Sequence, residues 1–223
     1  MFRLDLHVHT GFSDDGQGSP EEVVSTLKSR GLDGVAITDH NTLEGALQAK
    51  KLSSKDFVVL VGVEISSSDG HVLALNVDSL PAVGVSVEET VDSILDLGGV
   101  PIIPHVFRNM SGVYREGLEK VKSKCSCIEV FNAASMPHSN LKMMRLADEL
   151  GLGGTGGSDA HMPQYAGLGF TEVDCDVLSV DGVLEAILTK RSWGRGVSLP
   201  FEYRQQRFLS AIRRYFGSGV KKI

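Results

Sequence analysis

A chain of 223 residues with 42% apolar side chains is long enough to bury one sizeable core, so a single enzyme-sized unit is expected. No window approaches the roughly 18 to 20 unbroken apolar residues of a membrane span, and the amino terminus lacks the basic-then-apolar layout of a secretory signal. Both features predict a cytoplasmic protein with no membrane partner. A formal net charge of −6 argues against general nucleic-acid affinity through the body of the protein. The three cysteines, Cys125, Cys127 and Cys175, form neither a C-x-x-C pair nor an even disulfide framework, which suits a reducing compartment. Cys125 and Cys127 read as buried thiols.

In chain order, residues 3–9 predict the first strand and residues 13–18 a polar turn. Ser19-Pro20-Glu21-Glu22 opens a helix with a capping serine, proline at its first position and acids facing the positive end of the helix dipole, and Gly31 ends it. Residues 34–38 are apolar on both faces, as a parallel strand covered by helices requires. A helix over 42–50, a strand over 57–65, a polar turn over 66–70 and a strand over 71–77 follow. Next come a helix over 86–97 capped by Ser86, a strand over 100–104, a helix over 115–124 and a strand over 128–132. A helix over 140–150 closed by Gly151, a glycine-rich strand or loop over 153–158, and helices over 182–190 and 202–216 complete the pattern. Strands alternating with helices at roughly 25 to 35 residue intervals predict an α/β fold with a mainly parallel sheet.

The strand cores are apolar, and the histidines and acids fall at strand ends. His7 and His9 close the first strand, Asp39 and His40 follow the second, Glu64 lies at the carboxyl end of the third, His105 follows the strand over 100–104, and Asp159 and His161 follow the last. His7 and His9, two apart, share one face of a strand while Leu4, Leu6 and Val8 take the other. A lone H-x-H pair is common on a solvated strand face. Six of seven histidines at strand ends or adjacent turns is better explained by a site assembled at the carboxyl ends of parallel strands. Imidazole with carboxylate and no cysteine suits zinc, manganese or iron. Six histidines with Asp14, Glu64 and Asp159 exceed what one ion uses, so a cluster of two or three divalent ions is expected, of the kind that handles phosphoryl displacement.

Asp5-Leu6-His7-Val8-His9, Thr38-Asp39-His40, Gly62-Val63-Glu64, Pro104-His105 and Ser158-Asp159-Ala160-His161 together resemble the motifs of the polymerase and histidinol phosphatase (PHP) family of metal-dependent phosphoesterases, over about residues 1–173. The resemblance implies a distorted (β/α)7 TIM-like barrel with up to three metals at its carboxyl-terminal mouth. Carried over by motif, His7, His9, Glu64 and Asp159 match one metal position, Glu64 with His71 and His105 a second, and Asp14, His40 and His161 a third. Asp15, beside Asp14, is left open as the alternative. Asp5 and Asp39 are implied to orient histidines by accepting the ring N–H that faces away from the metal.

A phosphate ester also needs donors. Arg108, three residues after His105, and Arg195, in a Trp-Gly-Arg-Gly segment expected to be flexible, are the candidates, and solvated surface charge is the plain alternative for both. Asn132, at a strand end, and His138, on a loop, are candidate substrate contacts. Asp39, Arg108 and Arg195 make up the expected catalytic set beyond the metals. The glycine run 153–157 lacks the Lys-Ser/Thr of a P-loop and the dinucleotide spacing, and reads as close backbone approach around Asp159.

The domain expectation is a PHP phosphoesterase unit over 1–200 and a basic carboxyl-terminal helix over 201–223. That helix carries Arg204, Arg207, Arg213, Arg214, Lys221 and Lys222 against Glu202. It is read as packing on the barrel through Phe201, Phe208, Leu209, Ile212 and Phe216, or as contacting nucleic acid. The functional expectation is hydrolysis of a phosphoester by metal-bound hydroxide attacking phosphorus, with a nucleotide or oligonucleotide terminus favoured as substrate. A small phosphomonoester phosphatase of histidinol phosphatase type is the alternative. Rival classes are a metal-dependent amidohydrolase and a non-catalytic domain stapled by metal.

Overall fold

The structure is a computed structural model that describes residues 1–203. Most of the expected basic helix lies outside the described residues. Strand β1 (Phe2–Val8) leads through a polar turn to helix α1 (Pro20–Ser29) and then to β2 (Gly34–Ile37), which pairs with β1 in parallel. A parallel return needs a crossover of this length, and α1 supplies it. Ser19 and Glu22 form a reciprocal capping box at its start, and Gly31 at φ +70° ends it. Helix α2 (Glu44–Lys50) crosses in the same way to β3 (Val58–Ser67), parallel to β2.

The next connection is different. β3 continues to Ser67 and β4 (Gly70–Leu75) starts at once, so only Ser68 and Asp69 separate them. Two residues allow only an antiparallel hairpin. Helix α3 (Val87–Asp96), with a capping box of Ser86 and Glu89, leads to β5 (Val100–Ile103), antiparallel to β4. Helix α4 (Arg115–Val121), β6 (Cys127–Asn132), helix α5 (Pro137–Leu150) and β7 (Gly153–Gly157) restore the parallel pattern. The chain then adds β8 (Gly169–Val173), helix α6 (Val180–Leu188) and β9 (Ser192–Gly196), with β8 antiparallel to both β1 and β9.

The sheet is therefore half parallel and half antiparallel, not mainly parallel, and β8 and β9 were not anticipated as strands. The barrel closes at its mouth. Asp159 N–H donates to the His7 carbonyl at 2.7 Å and His9 N–H to the Ala160 carbonyl at 2.9 Å, so the continuation of β7 joins the end of β1 and makes a ring of seven strands. At the other end the antiparallel β8–β9 pair, joined through α6, fills the gap. Thr171 Oγ1 accepts from Gly156 N–H and donates to its carbonyl, both at 2.8 Å. The architecture is the distorted (β/α)7 barrel.

Two apolar layers hold it. Leu4, Leu6, Leu60, Leu73 and Ile102 pack with Ile187 of α6, and Val8, Val35, Ile37 and Val61 pack against α1 and α2. Each fully buried leucine or isoleucine contributes about 1.5–3 kcal/mol. Leu6 and Val8 thus belong to different layers, although alternation would place them together. The pairing of β1 with β2 slips between Asp5 and Val8. A slip of this kind re-aims side chains at a strand end, and it falls on the segment that carries His7.

Candidate metal centre

Glu64 is the hub of the mouth. Its Oε2 lies 3.4 Å from His7 Nε2, 3.3 Å from His9 Nε2 and 3.2 Å from His40 Nδ1. Its Oε1 lies 2.9 Å from His71 Nδ1 and 3.0 Å from His105 Nε2. Asp159 Oδ1 stands 3.8 Å from His7 Nε2, 3.6 Å from His9 Nε2 and 3.6 Å from His161 Nδ1. All six histidines singled out by their strand-end positions come together. The antiparallel β4 explains His71, because a strand running the other way begins at the mouth, where its sequence neighbours in a parallel strand would be buried at the far end. His105 at φ +28° and Asp159 at φ +50° each turn the chain out of its strand in a conformation unusual for non-glycine residues.

Of the two adjacent acids, Asp15 faces the histidines and Asp14 does not. Asp15 Oδ2 is 3.2 Å from His161 Nε2 and its Oδ1 is 3.8 Å from His40 Nε2, while Asp14 is exposed. The Thr10–Gly16 turn, closed by Ser13 N–H to Thr10 O and Gly16 N–H to Ser13 O, directs one of the adjacent acids inward and the other outward.

The donor set fits divalent metal. His7 Nε2, His9 Nε2, His40 Nδ1, His105 Nδ1 and His161 Nε2 are buried without a hydrogen-bond partner. Such nitrogens are normally satisfied. Ligand atoms converge within 4.8 Å of one another in the groups His9, His40 and His161; His7, His105 and Asp159; His7, His9 and Glu64; and His40, Glu64 and His71. The electrostatics agree with a centre built for cations. Burial opposes ionisation of Glu64, but His71, His7 and His40 hold its carboxyl well below the usual range. Burial likewise opposes ionisation of Asp159, and Arg108 and His7 hold it low. Burial pushes His40 and His105 down to about 4, so both rings stay neutral and their nitrogens remain available to metal.

The residues that support this shell differ from those expected. Asp5 accepts from the backbone N–H of His7, Ser158 and Gly167 at 3.2, 2.9 and 2.8 Å. It ties β1 to the β7 end and the following loop, and it touches no histidine ring. Asp39 accepts from Thr10 N–H, Thr10 Oγ1 and Ser13 Oγ at 2.6, 2.7 and 2.9 Å. It reaches a ring only through Ser13, whose hydroxyl lies 3.3 Å from His9 Nδ1. The carboxylate that does touch a ring is Glu129, which sequence reasoning missed. Its Oε1 lies 2.9 Å from His7 Nδ1, and its Oε2 accepts from His105 N–H at 3.0 Å and Asn132 Nδ2 at 2.9 Å. A glutamate in the middle of the apolar run Cys-Ile-Glu-Val-Phe was the available signal.

Arg108 and Asn132 are at the site. Arg108 Nη1 pairs with Asp159 Oδ2, and its Nη2 donates to Asn132 Oδ1 at 2.8 Å and Ser135 Oγ at 3.0 Å. Asn132 Nδ2 also donates to Asp159 Oδ2 at 3.2 Å. The two other substrate candidates take no part in this network. Arg195 belongs to β9, not to a flexible segment, and its half-exposed guanidinium pairs with Glu172 on the solvent-facing side. His138 is in the first turn of α5, not on a loop, and is exposed.

A seven-stranded α/β barrel with buried imidazoles and carboxylates gathered at its mouth defines the class of metal-centred α/β barrels. The sequence matches the PHP domain over residues 5–127 and the PHP-associated region over 137–192, and the chain belongs to the PHP family of metal-dependent phosphoesterases. An uncharacterized protein of Methanocaldococcus jannaschii is 32% identical over 142 residues, covering 59% of this chain and 82% of that one. The phosphoribosyl 1,2-cyclic phosphate 1,2-diphosphodiesterase of Eggerthella lenta is 36% identical over 81 residues, covering 33% of this chain and 30% of that enzyme. The 5'-3' exoribonuclease of Haemophilus influenzae is 36% identical over 81 residues, covering 34% and 29%. The chain thus aligns with less than a third of either enzyme. A two-domain protein of Bacteroides vulgatus, described as containing a predicted PHP-like metal-dependent phosphoesterase, superposes with a TM-score of 0.76 at 18% identity over 94% of this chain and 69% of that one, a likeness of fold. Among the described residues no helix is long and apolar enough to cross a membrane.

Proposed function

We propose that the centre takes up to three divalent ions and hydrolyses a phosphoester of a nucleotide or oligonucleotide terminus. The observation that carries this reading is the set of buried, unpartnered imidazole nitrogens converging on Glu64, Asp159 and Asp15. His7, His9, Glu64 and Asp159 would hold one ion, Glu64, His71 and His105 a second, and Asp15, His40 and His161 a third. Divalent ions at such a site supply Lewis-acid charge to a phosphoryl group and lower the pKa of bound water.

The protein's own contribution is orientation and charge. Glu64, with both oxygens facing imidazoles, is placed to bridge. Arg108 commits three of its five N–H donors to Asp159, Asn132 and Ser135. That fixes the plane of the guanidinium while its side chain stays 29% exposed at the mouth, which suits gripping a phosphoryl oxygen with the remaining donors. The similarity to the exoribonuclease supports the oligonucleotide preference, and the similarity to the phosphoribosyl cyclic phosphate diesterase supports phosphoester hydrolysis more broadly.

The test is a substrate panel of phosphomonoesters, cyclic phosphodiesters, 3′,5′-bisphosphates and short single-stranded oligonucleotides, with Mn²⁺ or Zn²⁺ added to chelator-treated protein. Phosphate or nucleotide release that is lost in folded Asp159→Ala protein is expected. Activity on small monoesters alone would sink the oligonucleotide preference. Release of ammonia or a carboxylate from amide substrates, with no phosphoester cleaved, would move the protein to the amidohydrolase class.

A further inference from the structure

Among the described residues, a buried phenol next to Asn132 and His161 in the fold is used by neither the metal cluster nor its supporting network. Tyr203 is 6% exposed, and its hydroxyl is buried without a hydrogen-bond partner. The residue follows β9 in a segment tied to the end of β6, where Leu199 N–H donates to the Ala133 carbonyl at 2.8 Å. Tyr203 packs with Ala133 and Leu199, and Met162 packs against the same cluster. Ala133 directly follows Asn132, and Met162 directly follows His161. The ring is thus seated between the two loops that present Asp159's partners. It packs against Tyr165 with centroids 4.1 Å apart and ring planes tilted by 34°, which restricts its rotation.

The acid shared by the flanking loops is already committed. Asp159 uses Oδ2 on Arg108 and Asn132 and turns Oδ1 to three imidazoles. The charges of Asp159 and Asp15 act on the phenol and, after burial, help push its pKa up, so it stays an O–H donor across the physiological range. A buried donor with no internal acceptor, restricted in orientation at the edge of a cation-binding centre, is arranged for an acceptor that arrives from outside. An anionic oxygen suits it best, since hydrogen bonds to charged groups are the stronger kind.

We propose that Tyr203 is a substrate-contacting residue whose phenolic O–H donates a hydrogen bond to a phosphoryl oxygen of the ester bound at the mouth. This rests on the phosphoesterase reading above. Tyr203→Phe is the appropriate variant because it keeps the packed ring and costs no hydrogen bond within the protein, so the fold is retained. The experiment titrates inorganic phosphate into the Mn²⁺-loaded full chain by calorimetry, with metal content and melting temperature measured on the same samples. The Phe variant is expected to bind phosphate about tenfold more weakly at unchanged metal content. Equal phosphate affinity in the two proteins would overturn the proposal, since the hydroxyl would then be satisfied by water alone. A loss that disappears at saturating Mn²⁺ would overturn it as well, because Tyr203 would then act through Asp159 or Asp15. If the wild-type chain neither binds phosphate nor cleaves any phosphoester, the underlying functional reading fails, an outcome visible without the variant.

Discussion

Glu129 lies 2.9 Å from the Nδ1 of His7 across the barrel interior, with both side chains fully buried. This contact fixes the ring so that its Nε2 faces Glu64 and Asp159. The other oxygen of Glu129 holds the backbone N–H of His105, so one carboxylate of β6 places two histidines. Glu129→Gln preserves the shape and removes the charge that sustains the Nδ1–H tautomer. A 10- to 100-fold loss of metal affinity is expected, the usual consequence of removing a carboxylate behind a ligating histidine. Calorimetric titration of Mn²⁺ or Zn²⁺ measures it, and unchanged affinity would show that His7 is oriented by packing alone.

Asp14 and Asp15 offer a discriminating pair, since they are adjacent and chemically identical. Asp15→Asn removes charge that faces His161 and His40, whereas Asp14→Asn alters an exposed side chain. Elemental analysis is expected to find less bound metal in the Asp15 variant and wild-type content in the Asp14 variant. The reverse result would mean that the turn adopts a different conformation when metal is bound.

Much of this site was legible because ligand chemistry sits at strand ends, where an apolar run gives way to His, Asp or Glu. His7, His9, His40, Glu64, His105, Asp159 and His161 all follow that rule. His71 was legible only as a histidine at a turn, since the hairpin that reverses β4 and brings its start to the mouth depends on two linking residues. Glu129 could not be assigned from sequence because its partner, His7, is 122 positions away. Asp5 and Asp39 were given the role that Glu129 fills, because a motif records residue types near a ligand but not the distances between them. β8 follows β7 with no α-helix between them to mark it out, and Ser-Trp-Gly-Arg-Gly of β9 has too much glycine to read as a strand. Arg195 followed that error.

Closure of the barrel depends on a backbone approach that only glycine permits. A Cβ on Gly157 would stand 2.3 Å from the His7 Cβ and 2.8 Å from the His7 backbone nitrogen. Gly157→Ala therefore has to push β7 away from β1 at the point where Asp159 N–H meets the His7 carbonyl. The expected cost is about 1–3 kcal/mol of stability, together with weakened metal binding, because His7 and Asp159 are displaced jointly. Thermal melting with and without Mn²⁺ reads both effects. A variant that melts with the wild type and keeps its metal would mean that the closure is more elastic than its geometry implies.

Protons and metal compete for the same nitrogens, and the direction of the pH dependence follows from the shifts. In chelator-treated protein, burial pulls the His9 imidazole down, but the Asp159 and Glu64 carboxylates outweigh it and hold it up at about 9. His7 is likewise raised, as Glu129, Glu64 and Asp159 overcome its burial. A ligating histidine must be neutral, so near pH 7 metal has to displace protons from these two rings. His40 and His105, held down at about 4 by burial, are neutral there and release none. Mn²⁺ affinity is therefore expected to climb steadily from pH 6.5 to 8.5, with calorimetry in buffers of different ionisation enthalpy reporting proton release on binding. Stability of the stripped protein runs the opposite way. A histidine whose folded pKa is raised contributes fully below its unfolded value near 6.5, and that contribution is lost as pH rises toward about 9. Metal affinity that stays flat over this window, with no proton released, would mean that His7 and His9 are already neutral and that their carboxylate neighbours do not govern the centre.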